Sequence, residues 1–396
     1  MAQILGVSKS YYAQLENGTR AISTTVEAKV RKQFFVKKSN QAKLEVSFDW
    51  VSLHFRTTEI DELLRKVLRL SLSEFMMEDY ARYQYKKLYK YGNINVYVDD
   101  KDETHGALIE CSGMACREME QLLEEQKRDW YDLFETCDEF GNFLRQRYEL
   151  SSRDSELSEK ARYFNVTRLD LALDEPYSEN GNFKLAHLLE QFRAGLIVTP
   201  KKEYSNQSGG RYTKEGLRDD GQTIYIGSPK SSPYFRFYEK DAERAKALGT
   251  TIGSIHDLYG FKNRFEIVLR HEKSDEFIQD YLRKYFDIAT EAVKIINSNL
   301  VVFEDFKGHL DAGWYDLMNS YEAYQFKTQA KAFDIEKTWA WAIKNLAGTM
   351  KLLQSDDPEK FQDIIQEAQL SKRHEAYLDL KNKKKEQEQK NETRNS

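Results

Sequence analysis

The stretch that decides the fold is Thr223-Ile-Tyr-Ile-Gly-Ser-Pro-Lys-Ser-Ser-Pro-Tyr-Phe-Arg-Phe-Tyr-Glu-Lys240. Two runs of β-branched and aromatic residues flank a turn rich in Gly, Ser and Pro, which predicts a β-hairpin. Because side chains alternate between the two faces of a strand, Tyr234, Arg236 and Tyr238 share one face and lie opposite two phenylalanines. The second strand is therefore expected to have a polar face and a core face.

Two further segments, 167–174 and 263–270, alternate in the same way, each with three apolar residues on the opposite face. Their polar residues are Arg168, Asp170 and Asp174 in the first and Arg264, Glu266 and Arg270 in the second. An antiparallel sheet with one solvated face accounts for each alternation taken alone. The combination of Asp, Glu, Arg and Tyr, however, is suited to hold a divalent cation and a phosphate while a phenol attacks.

These strands resemble those of a known family, the relaxases of Gram-positive conjugative transposons and the related initiators of rolling-circle plasmids. The matching motifs, in family order, are Arg-Leu-Asp-Leu-Ala-Leu-Asp (168–174), Tyr-Ile-Gly-Ser (225–228), Arg-Phe-Tyr-Glu-Lys (236–240) and Arg-Phe-Glu-Ile (264–267). The resemblance extends from Val46 to roughly residue 300 and includes the segments 46–55 and 106–113. Pro229 departs from the family, where Arg is common, so Lys230 becomes the candidate for a phosphate contact there.

The resemblance implies a transesterase that nicks one DNA strand at an origin of transfer or of rolling-circle replication and stays attached through a 5′-phosphotyrosine. The nucleophile that the motif assigns is Tyr238, with Arg236 as the adjacent cation. A phenol with a pKa of about 10 needs such a cation or a base to attack at neutral pH. Tyr225 and Tyr234 are the competing tyrosines, which could instead stack a base or shape the pocket. The further DNA contacts expected in this domain are Arg168, Tyr225, Lys230 and Lys240.

Mg²⁺ or Mn²⁺ is the expected cofactor. No two of the seven histidines lie two residues apart, so the sequence has no His-apolar-His pair for a cation. Hard oxygen ligands remain, and Asp170 and Glu266 are the first candidates, followed by Asp174 and Glu110. The alternative is that Asp170 only forms a salt bridge with Arg168 or Arg264.

The amino-terminal module is basic, because residues 1–40 contain seven Lys or Arg and two Glu, a formal charge of 7 − 2 = +5. Residues 4–20 resemble the turn and recognition helix of a Cro/repressor-type helix-turn-helix, with Gly6 in the turn and Ser8 as the helix cap. The residues expected to face a major groove are Lys9, Ser10, Tyr11 and Gln14. The first helix of such domains is absent, so the alternative is a partial module that cannot fold alone.

Composition agrees with a DNA-processing protein without requiring one. The 396 residues are 40% hydrophobic and 32% charged, enough for two or three domains, and the net charge of −5 leaves −10 outside the basic module. No apolar run approaches the roughly 18–20 residues of a membrane span and no signal peptide is visible, which favours a cytoplasmic protein with no membrane partner. The three cysteines are expected to be reduced thiols.

The predicted fold class is α+β, with an antiparallel-sheet nicking domain between an amino-terminal partial helix-turn-helix and a helical carboxyl-terminal region. The predicted boundaries are 1–40 for the helix-turn-helix, 41–305 for the nicking domain, 306–380 for the helical region and 381–396 for a disordered polar tail. Helical spacing is predicted over 60–75 and 116–148, and a mobile DNA-contacting loop over 201–221.

The expected partners are origin DNA, both duplex and single-stranded, and a separate helicase, because the sequence has no Walker loop. The oligomeric state stays open, with a dimer among the options. Two alternatives to a conjugative relaxase also stay open: a plasmid replication initiator of the same family, and a DNA-binding regulator without catalysis.

Overall fold

The computed structural model divides into two compact units, Met1–Thr328 and Gln329–Ser396. The described residues are 44–149, 162–213, 216–320, 322–326, 342–343 and 346–368, with positions 8, 11, 14, 339 and 378. In the amino-terminal module Tyr11 and Gln14 are helical, whereas Lys9 and Ser10 lie outside the described residues. The helix-turn-helix, like the domain boundary at residue 305, therefore stays a prediction.

The first unit is built on a ten-stranded antiparallel sheet, as the alternating segments predict. The strands are β1 (Glu45–Phe55), β2 (Met76–Glu78), β3 (Lys87–Tyr91), β4 (Ile94–Val98), β5 (Ala107–Ser112), β6 (Phe164–Pro176), β8 (Tyr204–Thr213), β9 (Gly216–Ile226), β10 (Tyr234–Glu239) and β11 (Phe261–Arg270), while β7 (Ile197–Val198) and β12 (Val301–Val302) form a separate pair. The strand order in the sheet is β2-β3-β4-β5-β1-β6-β11-β10-β9-β8.

Helices accompany the sheet in the first unit, which confirms the α+β class. They are α1 (Ile60–Leu63), which continues as a π-helical turn (Leu64–Leu68), then α2 (Met114–Glu125), α3 (Trp130–Glu149), α4 (Leu185–Ala194), α5 (Lys240–Leu248), α6 (Ile252–Tyr259), α7 (Glu272–Lys284), α8 (Ile288–Asn297) and α9 (Ala312–Met318). A 3₁₀ turn spans Leu72–Glu74.

The core lies on one face of the sheet. The apolar positions of β6, β9, β10 and β11 are buried there together with the apolar faces of α2, α3, α7 and α8. Trp314 of α9 is fully buried, with its ring centroid 6.1 Å from that of Phe237 and 6.0 Å from that of Phe265. The two phenylalanines therefore occupy the core face that the hairpin sequence predicts, and the polar side chains of the same strands are directed to the other face.

The prediction of a mobile loop over 201–221 is wrong. Residues 204–213 form the edge strand β8, which pairs with β9 from Tyr204 opposite Ile226 to Thr213 opposite Gly216. Gly and Ser give this segment little β-propensity of its own, but strand formation depends strongly on pairing with a neighbour. The segment therefore forms one edge of the sheet.

The second unit contains two described helices, α10 (Ala347–Asp356) and α11 (Pro358–Glu367). The Asp357 carboxylate accepts a hydrogen bond from the Lys360 backbone N–H at 3.0 Å, and Pro358 begins α11, a typical helix start. The polar tail at 381–396 lies outside the described residues. No helix in the described part of the chain is long and apolar enough to cross a membrane. Cys111, Cys116 and Cys137 are free and buried.

Candidate active site

The polar face of the central strands brings the predicted catalytic residues together. In β10 and β11, Arg236 lies opposite Glu266 and Tyr238 lies opposite Arg264. In β11 and β6, Arg264 lies opposite Asp174. Residues directly opposite in an antiparallel pair have Cβ atoms about 4.5–5.5 Å apart, so the register alone makes these side chains neighbours.

Tyr238 is almost completely buried, with 4% of its surface exposed. Its hydroxyl donates a hydrogen bond to Glu266 Oε1 at 2.6 Å and accepts one from Lys240 Nζ at 3.3 Å. The Arg236 guanidinium lies 5.1 Å from the centre of the phenol ring. Burial, reinforced by the negative charge of Glu266, raises the pKa of Tyr238 well above 10, so the resting phenol is neutral. Attack by this oxygen therefore requires a proton acceptor.

Glu266 lies in position to accept that proton. Its Oε2 is 2.8 Å from Arg236 Nε and 2.5 Å from Arg236 Nη2, while Oε1 faces the Tyr238 hydroxyl. Burial raises the pKa of Glu266, and Arg236 opposes that rise. Because 40% of the Arg236 side chain is exposed, the same guanidinium also faces the solvent side of the sheet.

Arg264 is held by two carboxylates, one of which the sequence did not indicate. Its Nε and Nη2 each lie 2.6 Å from an oxygen of Asp174, and its Nη1 lies 3.2 Å from Asp49 Oδ1. The register of β1 and β6 shifts between Phe48 and Trp50, a β-bulge at Asp49. This irregularity is not visible in simple alternation, which explains why Asp49 was not a candidate.

The carboxylates predicted as metal ligands each have another partner. Asp170 accepts two hydrogen bonds from Arg168, at 2.9 and 2.6 Å, and the Arg168 guanidinium lies 3.7 Å from the Trp50 ring centre. Glu110 accepts a hydrogen bond from the Tyr83 hydroxyl at 3.1 Å, and burial raises the pKa of both Asp170 and Glu110. The salt bridge that was the alternative for Asp170 is therefore present.

Metal ligation by these residues needs a rearrangement. Asp170 lies opposite Val268 and Glu266 opposite Ala172, so the two carboxylates are diagonal neighbours. A cation between them requires that Arg168 and Arg236 move away. Among the described residues no group of three His, Cys, Asp or Glu is arranged to hold a metal ion. The side chains as they stand do not fit a metal centre.

Of the remaining predicted DNA contacts, Tyr225 and Lys240 lie near Tyr238, whereas Lys230 does not. Tyr225 lies opposite Arg236, and its ring is nearly parallel to that of Tyr234, at 12° with centroids 6.4 Å apart. Lys240 forms a salt bridge with Glu243 at 2.6 Å in addition to its contact with Tyr238. Lys230 is exposed in the turn between β9 and β10.

A cavity of about 330 Å³ adjoins Tyr238. The β8–β9 hairpin and α5 form its walls, and residues from both walls and from the sheet line it, including Gln207, Thr223, Tyr225, Arg236, Glu243 and Lys246. The lining carries both signs of charge, because Arg236 and Lys246 are cations whereas Asp220, Glu239 and Glu243 are carboxylates.

Comparison with known proteins agrees with this geometry. The family model described as "Replication initiation factor" matches residues 164–368, more than half of the chain. The matched region includes β6, β9, β10 and β11, the strands that position Tyr238 and its neighbours. The chain belongs to this family. A second model, "Rolling Circle replication initiation protein N-terminal domain", matches residues 45–136.

Individual relatives support the assignment. A Bacillus subtilis (strain 168) protein named "Putative DNA relaxase NicK" is 29% identical over 360 residues, which are 87% of this chain and 93% of that protein. The solved structure of a rolling circle replication initiator protein from Geobacillus stearothermophilus matches with a TM-score of 0.50 and 22% identity, over 69% of this chain and 95% of that one. At that identity the structural match supports the fold alone.

Proposed function

We propose that this protein nicks one strand of DNA at an origin and transfers the strand through a covalent 5′-phosphotyrosine on Tyr238. The observation that carries the proposal is the hydrogen bond of 2.6 Å between the Tyr238 hydroxyl and Glu266, which in turn is paired with Arg236. Membership of the replication initiation factor family and the similarity to a protein named as a DNA relaxase support the same activity.

In the proposed reaction the Tyr238 oxygen attacks the scissile phosphorus, a phosphorus–oxygen bond forms, and the bond to the 3′ oxygen breaks. The phenol proton passes to Glu266, and the departing 3′ oxygen takes a proton from solvent. Arg236 binds a nonbridging oxygen, because its guanidinium is partly exposed next to the phenol. Strand transfer is the reverse reaction with a different 3′ hydroxyl as the attacking group.

A requirement for Mg²⁺ or Mn²⁺ belongs to the same proposal, although no step above depends on it. The support is the number of carboxylates on the polar face, with Asp170 and Glu266 as first candidates and Asp174 and Glu110 as second, and a cation would bind them only after Arg168 and Arg236 move away. Dialysis against EDTA is expected to stop nicking, and added Mn²⁺ to restore it. Full activity in excess EDTA would show that these carboxylates only bind their protein partners, which are arginines for Asp170, Glu266 and Asp174 and the Tyr83 hydroxyl for Glu110.

The biological role that we propose is that of a conjugative relaxase, supported by the relative named as a relaxase. Its partners would be origin DNA, duplex and single-stranded, and a separate helicase, in the cytoplasm. A replication initiator of the same family would use the same chemistry, so the two roles differ in which origin is cut.

The experiment that tests the proposal uses supercoiled plasmids carrying the DNA that flanks the gene of this protein. Nicked circles and a DNA–protein adduct resistant to SDS are expected with the purified full chain and Mg²⁺. A protein that binds these plasmids without nicking any of them, with either cation, would be the regulator considered above.

A further inference from the structure

Arg270 differs from the other arginines of the polar face. Arg168, Arg236 and Arg264 each form hydrogen-bonded salt bridges with a carboxylate. Within the described residues the guanidinium of Arg270 has no hydrogen bond or salt bridge, and only its backbone N–H is engaged, donating to Ser232 Oγ at 2.9 Å. Arg270 is thus a half-buried cation without a direct counter-ion.

The neighbour of Arg270 is another arginine. Arg270 lies directly opposite Arg168 in the β11–β6 pair, an arrangement that is unfavourable for like charges. Asp170 and the Trp50 ring hold Arg168 in this position. Burial, and then the positive charge of Arg168, lower the pKa of Arg270, and the negative charge of Asp170 opposes this shift only in part. An anion bound here would relieve this repulsion.

The position of Arg270 relative to Tyr238 suggests which anion binds. Glu266, opposite Arg236, precedes Arg270 by four residues on β11, a distance of about 14 Å along the strand. Tyr234 lies opposite Val268, midway between the two points, with its ring nearly parallel to that of Tyr225. Aromatic faces stack single-stranded bases irrespective of sequence. A polar line thus runs from the Glu266 end of the site over an aromatic pair to Arg270, a cation whose guanidinium has no hydrogen-bonded partner among the described residues.

We propose that Arg270, beside Arg168, binds a backbone phosphate of the DNA strand that Tyr238 attacks, and that Tyr234 stacks a base between the two points. At the 3.4 Å rise of a stacked strand, 14 Å corresponds to at most about four nucleotides from the scissile phosphate. The identity of the cut strand rests on the proposed function, whereas binding of single-stranded DNA to Arg270 does not.

The binding test uses the full chain with Tyr238→Phe, so that cleavage cannot interfere, and a labelled oligothymidylate of about 20 nucleotides. Arg270→Gln is expected to weaken binding roughly tenfold at low salt and to reduce the slope of log K against log salt by about 0.7, the value for one phosphate on a single strand. The control is Lys66→Gln, which removes one exposed positive charge from the π-helical turn that packs against α3. The control is expected to leave both quantities unchanged.

A second variant protects the test against misfolding. Arg270→Lys keeps the charge and is expected to keep most of the salt slope, whereas a slope lost equally in Arg270→Lys would point to damage to the sheet and overturn the proposal. With Tyr238 intact, Arg270→Gln is expected to raise the DNA concentration for half-maximal nicking roughly tenfold, with the rate at saturation changed less than about threefold.

The two proposals can fail separately. Equal salt slopes for wild type, Arg270→Gln and Lys66→Gln would overturn the phosphate site even if plasmids are nicked. A loss of binding and of slope in Arg270→Gln alone would support the phosphate site even if no plasmid is nicked.

Discussion

Removal of the Tyr238 hydroxyl is the most direct test of the site. Tyr238→Phe keeps the ring in its buried position but deletes the oxygen that donates to Glu266 and accepts from Lys240. Nicking and adduct formation are expected to fall at least ~10⁴-fold, because no other group would supply the attacking oxygen. Binding of single-stranded DNA is expected to be nearly unchanged.

The cost in stability can be worked from the contacts of Glu266. A hydrogen bond to a charged group contributes about 1.5–3 kcal/mol, and a buried carboxylate left without a partner costs more. Glu266 retains both of its contacts with Arg236 in the variant, so it is not left unpaired. The free energy of unfolding is therefore expected to fall by only about 1–2 kcal/mol, measured by urea denaturation, and inactivity would not be due to unfolding.

The assay is SDS-resistant adduct formation followed by peptide mapping. Tyr225→Phe and Tyr234→Phe are the matched controls, since both tyrosines lie on the same polar face and each variant also loses one hydroxyl. Both controls are expected to keep nicking within about tenfold of wild type. An adduct mapped to Tyr225 or Tyr234, or one that persists in Tyr238→Phe, would refute the assignment.

Three further predictions concern the base, an ion pair and the amino terminus. Burial raises the pKa of Glu266 above 4.5, and Glu266 must be ionised to accept the phenol proton. The single-turnover nicking rate should therefore fall as the pH is lowered, with a midpoint above pH 4.5. A constant rate down to pH 4.5 in folded protein would contradict this role. Arg264→Leu should lower the free energy of unfolding, measured by urea denaturation, by about 2–5 kcal/mol, because Asp174 and Asp49 lose their cation. A loss below about 0.5 kcal/mol would show that solvent takes the place of the Arg264 guanidinium beside these carboxylates. Deletion of residues 1–40 should weaken binding to duplex origin DNA and flatten the salt dependence of that binding, while cleavage of single-stranded DNA survives. Equal salt slopes for the full-length and the truncated protein would mean that this module does not read DNA.

The sequence was sufficient for the strands in which polar and apolar residues alternate with a period of two. Alternation placed Tyr234, Arg236 and Tyr238 on one face and predicted the β9–β10 hairpin, which the structure confirms. The matching motifs also indicated the family, whereas the role of Tyr238 as nucleophile stays a prediction. Both inferences depend on residues that are near one another in the chain, where local geometry dictates the arrangement.

The sequence was not sufficient where the pairing of distant segments determines which side chains become neighbours. Arg264 and Asp174 are 90 residues apart, and only the register of β6 and β11 makes them partners. Asp49 reaches the same arginine because a bulge interrupts the alternation of β1. The strand at 204–213 forms through its pairing with β9, which composition could not show. Register, bulges and edge strands are properties of the whole sheet.

The pairing of buried carboxylates with arginines also suggests how substrate could activate the nucleophile. Ion pairs of this kind contribute little net stability, because desolvation offsets their attraction. In the resting site Arg236 holds down the pKa of Glu266, which limits its strength as a base. A phosphate that binds Arg236 competes with Glu266 for the same guanidinium, so the pKa of Glu266 should rise when DNA arrives. In the proposed mechanism the carboxylate would then become a better acceptor for the Tyr238 proton at the moment when the phosphorus lies next to the phenol, and the tyrosine of an empty site would stay neutral and unreactive.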